Sequence, residues 1–198
     1  LTGEVYRNMS LFGKALEYFN RRLEIETERN DKYSQMELYN SLAAVHYELE
    51  DHDKALKYHL MQLELAKEIG DKGSEAVAYK KIADINFSIA KNMNAAINNY
   101  MNALKIFEDI NDQVNRCMTL IHLSIVYKES ANYKKALMLL NKAASAAKSI
   151  NNRYILSCIE GQIGSIYIYQ NRLERSLDSF LEQEKLAREY NFSSLLAN

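Results

Sequence analysis

YNSLAAVHYELEDHDKALKYHLMQLELAKEIG, residues 39–70, reads as two amphipathic helices and the turn between them. Tyr39, Leu42, Ala43, His46 and Leu49 recur at three- and four-residue spacing, the signature of one helical face. The polar run Glu50-Asp51-His52-Asp53 interrupts that face and supplies carboxylates that can cap a following helix. The second helix carries Ala55, Leu56, Leu60, Leu63 and Ala66 and stops at Gly70. Gly and Asn tolerate the left-handed conformation that closes a helix, and Asp71 then stands ready to cap the next one. Each helix is predicted to hold about 17 residues and to be roughly 25 Å long.

The same pattern returns along the whole chain. Ala15, Ala55, Ala96, Ala136 and Ser176 stand 40, 41, 40 and 40 positions apart. Gly3, Ala43, Ala83, Ser124 and Gly164 keep step with them, as do Asn30, Gly70, Asn111, Asn151 and Asn191. Three series in one common phase mark a repeat architecture. Small side chains midway along each first helix and at the start of each second helix let two antiparallel backbones approach closely. A single helical pair cannot bury its apolar face, so each repeat leans on its neighbours. The chain thus divides into repeats at about 1–30 (partial), 31–70, 71–111, 112–151 and 152–191, with 192–198 opening a further helix. One residue breaks the metre between Phe87 and Ala96, which predicts a longer turn around Ala90-Lys91-Asn92-Met93. Both ends read as cut from a longer array, because neither carries the polar cap that an array needs.

Composition narrows the function classes. The 198 residues are 47% hydrophobic and 26% charged, with a formal net charge of -1, so no bulk field attracts nucleic acid or an anionic membrane. Residues 1–70 hold 9 Lys/Arg against 13 Asp/Glu, whereas residues 71–198 hold 16 against 13, a mild polarity along the chain. No apolar run is long enough to span a bilayer, and no basic-plus-apolar leader opens the chain. Cys117 and Cys158 lie one repeat apart on neighbouring first helices; geometry does not exclude a bridge, but two packed thiols are expected.

These positions resemble the tetratricopeptide repeat (TPR), whose core pattern runs Leu-Gly-x-x-Tyr and then Ala-x-x-x-Phe. The first part is carried here by Gly3 and Tyr6, by Leu42-Ala43 and His46, by Ile82-Ala83 and Asn86, by Leu123-Ser124 and Tyr127, and by Ile163-Gly164 and Tyr167. The second part is carried by Ala15 and Phe19, Ala55 and His59, Ala96 and Tyr100, Ala136 and Leu140, and Ser176 and Phe180. The repeat here has about 40 residues and ends in Asn or Gly. The family's minimal form has 34 and ends in Pro. The longer form is similar to the repeats of kinesin light chains, Pins/LGN-type adaptors and bacterial TPR regulators. The resemblance implies an all-α, right-handed superhelical solenoid of antiparallel helix pairs, with the first helices lining a concave groove that captures peptides or protein segments.

On that geometry the groove positions follow from the register. The second repeat offers Glu37, Asn40, Ala44, Tyr47 and Glu48; the third offers Val77, Lys80, Asp84, Phe87 and Ser88. The fourth offers Met118, Ile121, Ile125, Lys128 and Glu129, and the fifth Cys158, Gly161, Ser165, Ile168 and Tyr169. Tyr47, Phe87, Ile125, Ile168 and Tyr169 are the large residues of this face and the candidate anchors for a partner. The competing reading is that long helices bury part of the face against the next repeat. Lys80 matches one position of the clamps that hold chaperone tails, but Ala44, Asp84, Ile125 and Ser165 stand where those clamps carry Asn, so that mode is not expected.

No chemistry is expected from the remaining polar residues. His46 and His59 occupy the Tyr and Phe positions of the second repeat and are expected to pack, buried, across the helical pair with a backbone hydrogen bond, not to ligate a metal. The Glu64/Lys67/Glu68 and Lys134/Lys135 stripes read as solvated faces. No phosphate loop, nucleophile elbow or HExxH helix occurs, and no cofactor is called for. Two functions stay open. The first is a non-enzymatic scaffold that binds a peptide or helix in the groove, with uncapped ends open to self-association. The second is a sensory or dimerisation module of a bacterial signalling protein, toward which the abundance of Asn, Lys and Tyr leans.

Overall fold

A computed structural model describes residues 2–196, with side chains as far as Tyr190. Ten helices follow one another: α1 (Gly3–Asn8), α2 (Phe12–Glu28), α3 (Lys32–Glu48), α4 (His52–Ile69), α5 (Lys72–Ser88), α6 (Met93–Asp109), α7 (Gln113–Glu129), α8 (Tyr133–Ser149), α9 (Arg153–Tyr169) and α10 (Leu173–Leu196). No strand occurs among the described residues, so the fold is all-α. α2, α3 and α5 to α9 are each 17 residues long, as the periodicity predicts.

The turns follow a stricter rule than the sequence discloses. Ser10, Asn30, Glu50, Gly70, Lys91, Asn111, Ala131, Asn151 and Asn171 all have positive φ, between 50° and 77°. They recur every 20 residues, once per helix, with the single exception of the 21-residue step from Gly70 to Lys91. The following residue then donates its N–H back into the helix just ended, as Asp31 does to Glu26 O (3.0 Å), Asp71 to Ala66 O (2.9 Å) and Asn132 to Tyr127 O (2.8 Å). This six-to-one bond is the Schellman closure. The same residue's side chain opens the next helix: Asp31 accepts from Ser34 N, Asp71 from Ser74 N, Asp112 from Asn115 N and Asn152 from Ile155 N. One Asp or Asn therefore ends one helix and starts another. The extra residue before α6 is absorbed here, since Asn92 N reaches Asn86 O, one residue further back than elsewhere.

Asn191 departs from expectation. The backbone of α10 runs unbroken through it to Leu196, where the register placed a stop at Asn191 and a fresh helix from residue 192. A left-handed non-glycine residue is strained, and only the packing of a following helix repays the strain. None packs on α10 among the described residues; 197–198 lie outside them.

The chain forms two compact units, Leu1–Ile106 and Phe107–Asn198. In the first, consecutive helices from α1 to α5 pack pairwise, and α6 is tied to α5 through Tyr100. Ala15, Phe19, Leu38, Leu42 and Val45 form one core between α2 and α3; Leu63, Ala78 and Ile82 form another between α4 and α5. In the second unit α7 packs on α8, α8 on α9 and α9 on α10, and the first helices α7 and α9 also touch directly.

Both small-residue series lie in the helix interfaces. Ala15, Ala43, Ala55, Ala83, Ala96 and Ala136 are fully buried. Ser176 Oγ donates to Gly164 O at 2.9 Å, so members of the two series meet across the α9–α10 interface. Glycine appears where the second helix carries phenylalanine. A Cβ on Gly3 would lie 2.4 Å from the Phe19 ring, and one on Gly164 would lie 3.0 Å from that of Phe180.

The buried histidines have partners other than those expected. His59, 4% exposed, shares a hydrogen bond with the Gln62 side chain through Nδ1 (3.0 Å), not with the backbone. His46 stacks on Tyr58 with centroids 5.5 Å apart, and its Nδ1 lies 3.5 Å from Asp51. Burial pushes both imidazoles below their ordinary value; against His59 Lys81 adds to the effect and Asp84 opposes it, and against His46 Asp51 opposes it. The unfolded chain therefore binds these protons at a higher pH than the native one. Stability is expected to fall as pH drops below about 6.5, the ordinary imidazole value. Thermal melts between neutral and mildly acid pH measure this, and His59→Gln should flatten the slope; an unchanged slope would remove His59 from the account.

Candidate functional site

The first-helix faces are built separately in the two units. In the first unit, α3 and α5 supply the residues. Tyr47 is 42% exposed near the C-terminal end of α3, its ring set edge-on to His52 at 5.3 Å. Phe87 holds the matching place on α5 and is half-buried. Asp84 and Lys80 are one helical turn apart at 3.7 Å, and Tyr100 donates its hydroxyl to Asp84 Oδ1 at 2.5 Å. Burial holds the Lys80 ammonium below its usual range and, together with Asp84, the Tyr100 phenol far above its own. Asp84 is thus committed to a half-buried polar network. Glu48 is engaged too, since Arg7 Nη1 bonds it at 2.6 Å while also pairing with Glu4. Glu37 is exposed and lines a cavity of about 310 Å³ with Tyr18, Arg22 and Tyr33, whereas Asn40 is half-buried.

In the second unit, α7 and α9 lie side by side. Ile121 is 4% exposed and belongs to the core, which removes it from the candidate contacts. α7 and α9 also pack directly on each other. Ile125 is half-buried; Ile168 and Tyr169 are 52% and 60% exposed. Lys128 Nζ lies 3.3 Å from Ser165 Oγ, 3.6 Å from Glu129 Oε1 and 5.5 Å from the centre of the Tyr169 ring. Tyr133, from the start of α8, stacks on Tyr169 at 6.2 Å.

For several residues the sequence carries no signal that they reach these faces. Tyr100 and Tyr133 belong to second helices, and Arg7 reaches Glu48 across 41 residues. The lysine stripes are also less passive than expected, since Lys67 lies over Tyr79 at 4.9 Å and Lys135 over Tyr127 at 4.2 Å. Cys117 is buried with its Sγ 3.5 Å from Ala143 O, and Cys158 is half-buried; both thiols are free. Among the described residues no group of three His, Cys, Asp or Glu is placed to hold a metal ion, and no helix is long and apolar enough to cross a membrane.

Tandem helical pairs closed by small residues, with large side chains left open on the first helices, define a helical repeat protein. The tetratricopeptide repeat family matches at residues 34–109 and 75–149, more than half of the chain, and the chain belongs to that family. Comparison with curated proteins gave no match. Among solved structures, BtubC (BKLC) from P. vanneervenii is similar at TM-score 0.85 and 16% identity, over 96% of this chain and 78% of that one. A putative kinesin light chain with nearly identical TPR-like repeats from Podosopora anserina is similar at TM-score 0.76 and 10% identity, over 95% and 92%. A Rap protein complexed with Competence and Sporulation Factor is similar at TM-score 0.72 and 15% identity, over 94% and 62%. At these identities the likeness is one of fold.

Proposed function

We propose that the chain is a non-enzymatic interaction scaffold whose first-helix faces capture a peptide or helical segment of a partner protein. One observation carries this reading. Tyr47, Ile168 and Tyr169 are each more than 40% exposed on helices whose inner stripes, such as Leu42 and Val45 or Ile159 and Ile166, are almost completely buried. Much of the surface of these large side chains stays open after folding, and such residues anchor partners. Family membership supports the reading, because helical repeats present extended faces for binding.

The test is affinity capture from native lysate, comparing the wild type with Tyr47→Ala/Phe87→Ala and identifying bound proteins by mass spectrometry. The variant should keep its helicity and lose the partner, with binding weakened by roughly thirtyfold for two anchors worth about 2 kcal/mol together. Equal capture by both proteins would count against these anchors, and a large loss of helicity would show that they serve the core.

Similarity to a Rap protein solved with a bound factor favours a second reading, a sensory module that changes shape on binding. Solution scattering separates the two. A sensor contracts or extends when its signal binds, whereas a passive scaffold keeps its radius.

A further inference from the structure

Lys128 stands out in the register series that contains it. The equivalent positions on the other first helices are Arg7, Tyr47, Phe87 and Ile168; Arg7 is paired with Glu4 and Glu48, and the other three are large and uncharged. The Lys128 side chain is only 13% exposed, whereas the other described lysines of the second unit, Lys134, Lys135, Lys142, Lys148 and Lys185, are all exposed. Other cations of this unit hold carboxylates within hydrogen-bond reach: Lys142 with Glu108 at 3.0 Å, Arg153 with Glu189 at 3.1 Å and Arg116 with Glu108 at 3.2 Å. Lys128 has a hydroxyl at 3.3 Å, an aromatic face at 5.5 Å and a carboxylate at 3.6 Å, beyond the length of a charge-assisted hydrogen bond. That carboxylate, Glu129, is itself 44% exposed and shared with water. With its side chain only 13% exposed and the Tyr169 ring beside it, the Lys128 ammonium offers an incoming anion a site where solvent competes less than at the open surface.

We infer that the face formed by α7 and α9 recognises a peptide segment that sets one acidic side chain on Lys128 between apolar residues. The inference rests on the reading of the first-helix faces as binding surfaces. In it, Ile168 and the Tyr133–Tyr169 stack hold the apolar neighbours, and Ser165 orients the ammonium. The geometry therefore specifies an apolar–acidic–apolar order and not a general preference for negative charge.

Random 12-residue peptides displayed on phage and selected on the purified chain test this, followed by synthetic peptides with blocked termini. Wild-type selection should fix an Asp or Glu between apolar residues, and replacing that acid by its amide should weaken binding about tenfold, the effect of one charge-assisted contact. Lys128→Met keeps the apolar stem; it should bind the acid and amide peptides equally while retaining the apolar preference. Selection of apolar peptides with no acidic position would overturn the inference and leave the binding-face reading standing. Failure to select any peptide would overturn both. The acid-to-amide comparison on the wild-type protein decides the matter even if Lys128→Met folds poorly.

Discussion

Leu42→Ala is expected to lower stability by about 2–5 kcal/mol, because it opens a cavity that the surrounding helices cannot close. Leu42 is fully buried, and it shares its core with Ala15 and Phe19 of α2 and with Leu38 and Val45 of α3. Tyr6, Phe12, Leu16 and Tyr58 pack around that group, so elements on several sides of α3 lose contact together. Urea melts followed by far-ultraviolet circular dichroism give the change directly. Leu42→Met conserves volume and should cost less than about 1.5 kcal/mol. A loss below about 0.5 kcal/mol for the alanine variant would mean that the α2–α3 core is not the source of stability here.

Ala96→Leu should be destabilising for the opposite reason. Ala96 is fully buried at the start of α6, in the series that continues with Ala55 and Ala136. Three extra heavy atoms have no space, and the strain of parting the helices is about 1–3 kcal/mol. Leucine is a good helix former, so propensity cannot account for a loss. Asn98→Leu, at an exposed position of the same helix, is the control and should change little. An Ala96→Leu protein that melts like the wild type would show that the small series does not set the approach of the helices.

Much of the fold is legible without coordinates. Helical spacing around Leu42 and Leu63, the small series and the Asn/Gly stops all act within a few residues, so one pass along the chain finds them. Register also places Tyr47, Ile168 and Tyr169 on the first helices, where they are exposed. It cannot tell which members of the face are already engaged. Ile121 is buried, Asp84 is held by Tyr100, and Glu48 is held by Arg7. The two polar contacts join residues that stand on different helices.

What the sequence by itself determined is the period, the helix lengths and the residues that close and cap each helix, because these depend on local backbone preference and side-chain spacing. Tertiary structure alone decided the left-handed turns at Glu50, Lys91 and Ala131, none of which has a side chain that favours positive φ. It also decided the partner of His59, the enclosure of Ile121 and the setting of Lys128 beside Ser165, 37 residues away. The reason is physical. A strained turn or a shielded charge is stable only when the helices on either side are packed, and packing is settled by contacts between residues that are distant along the chain.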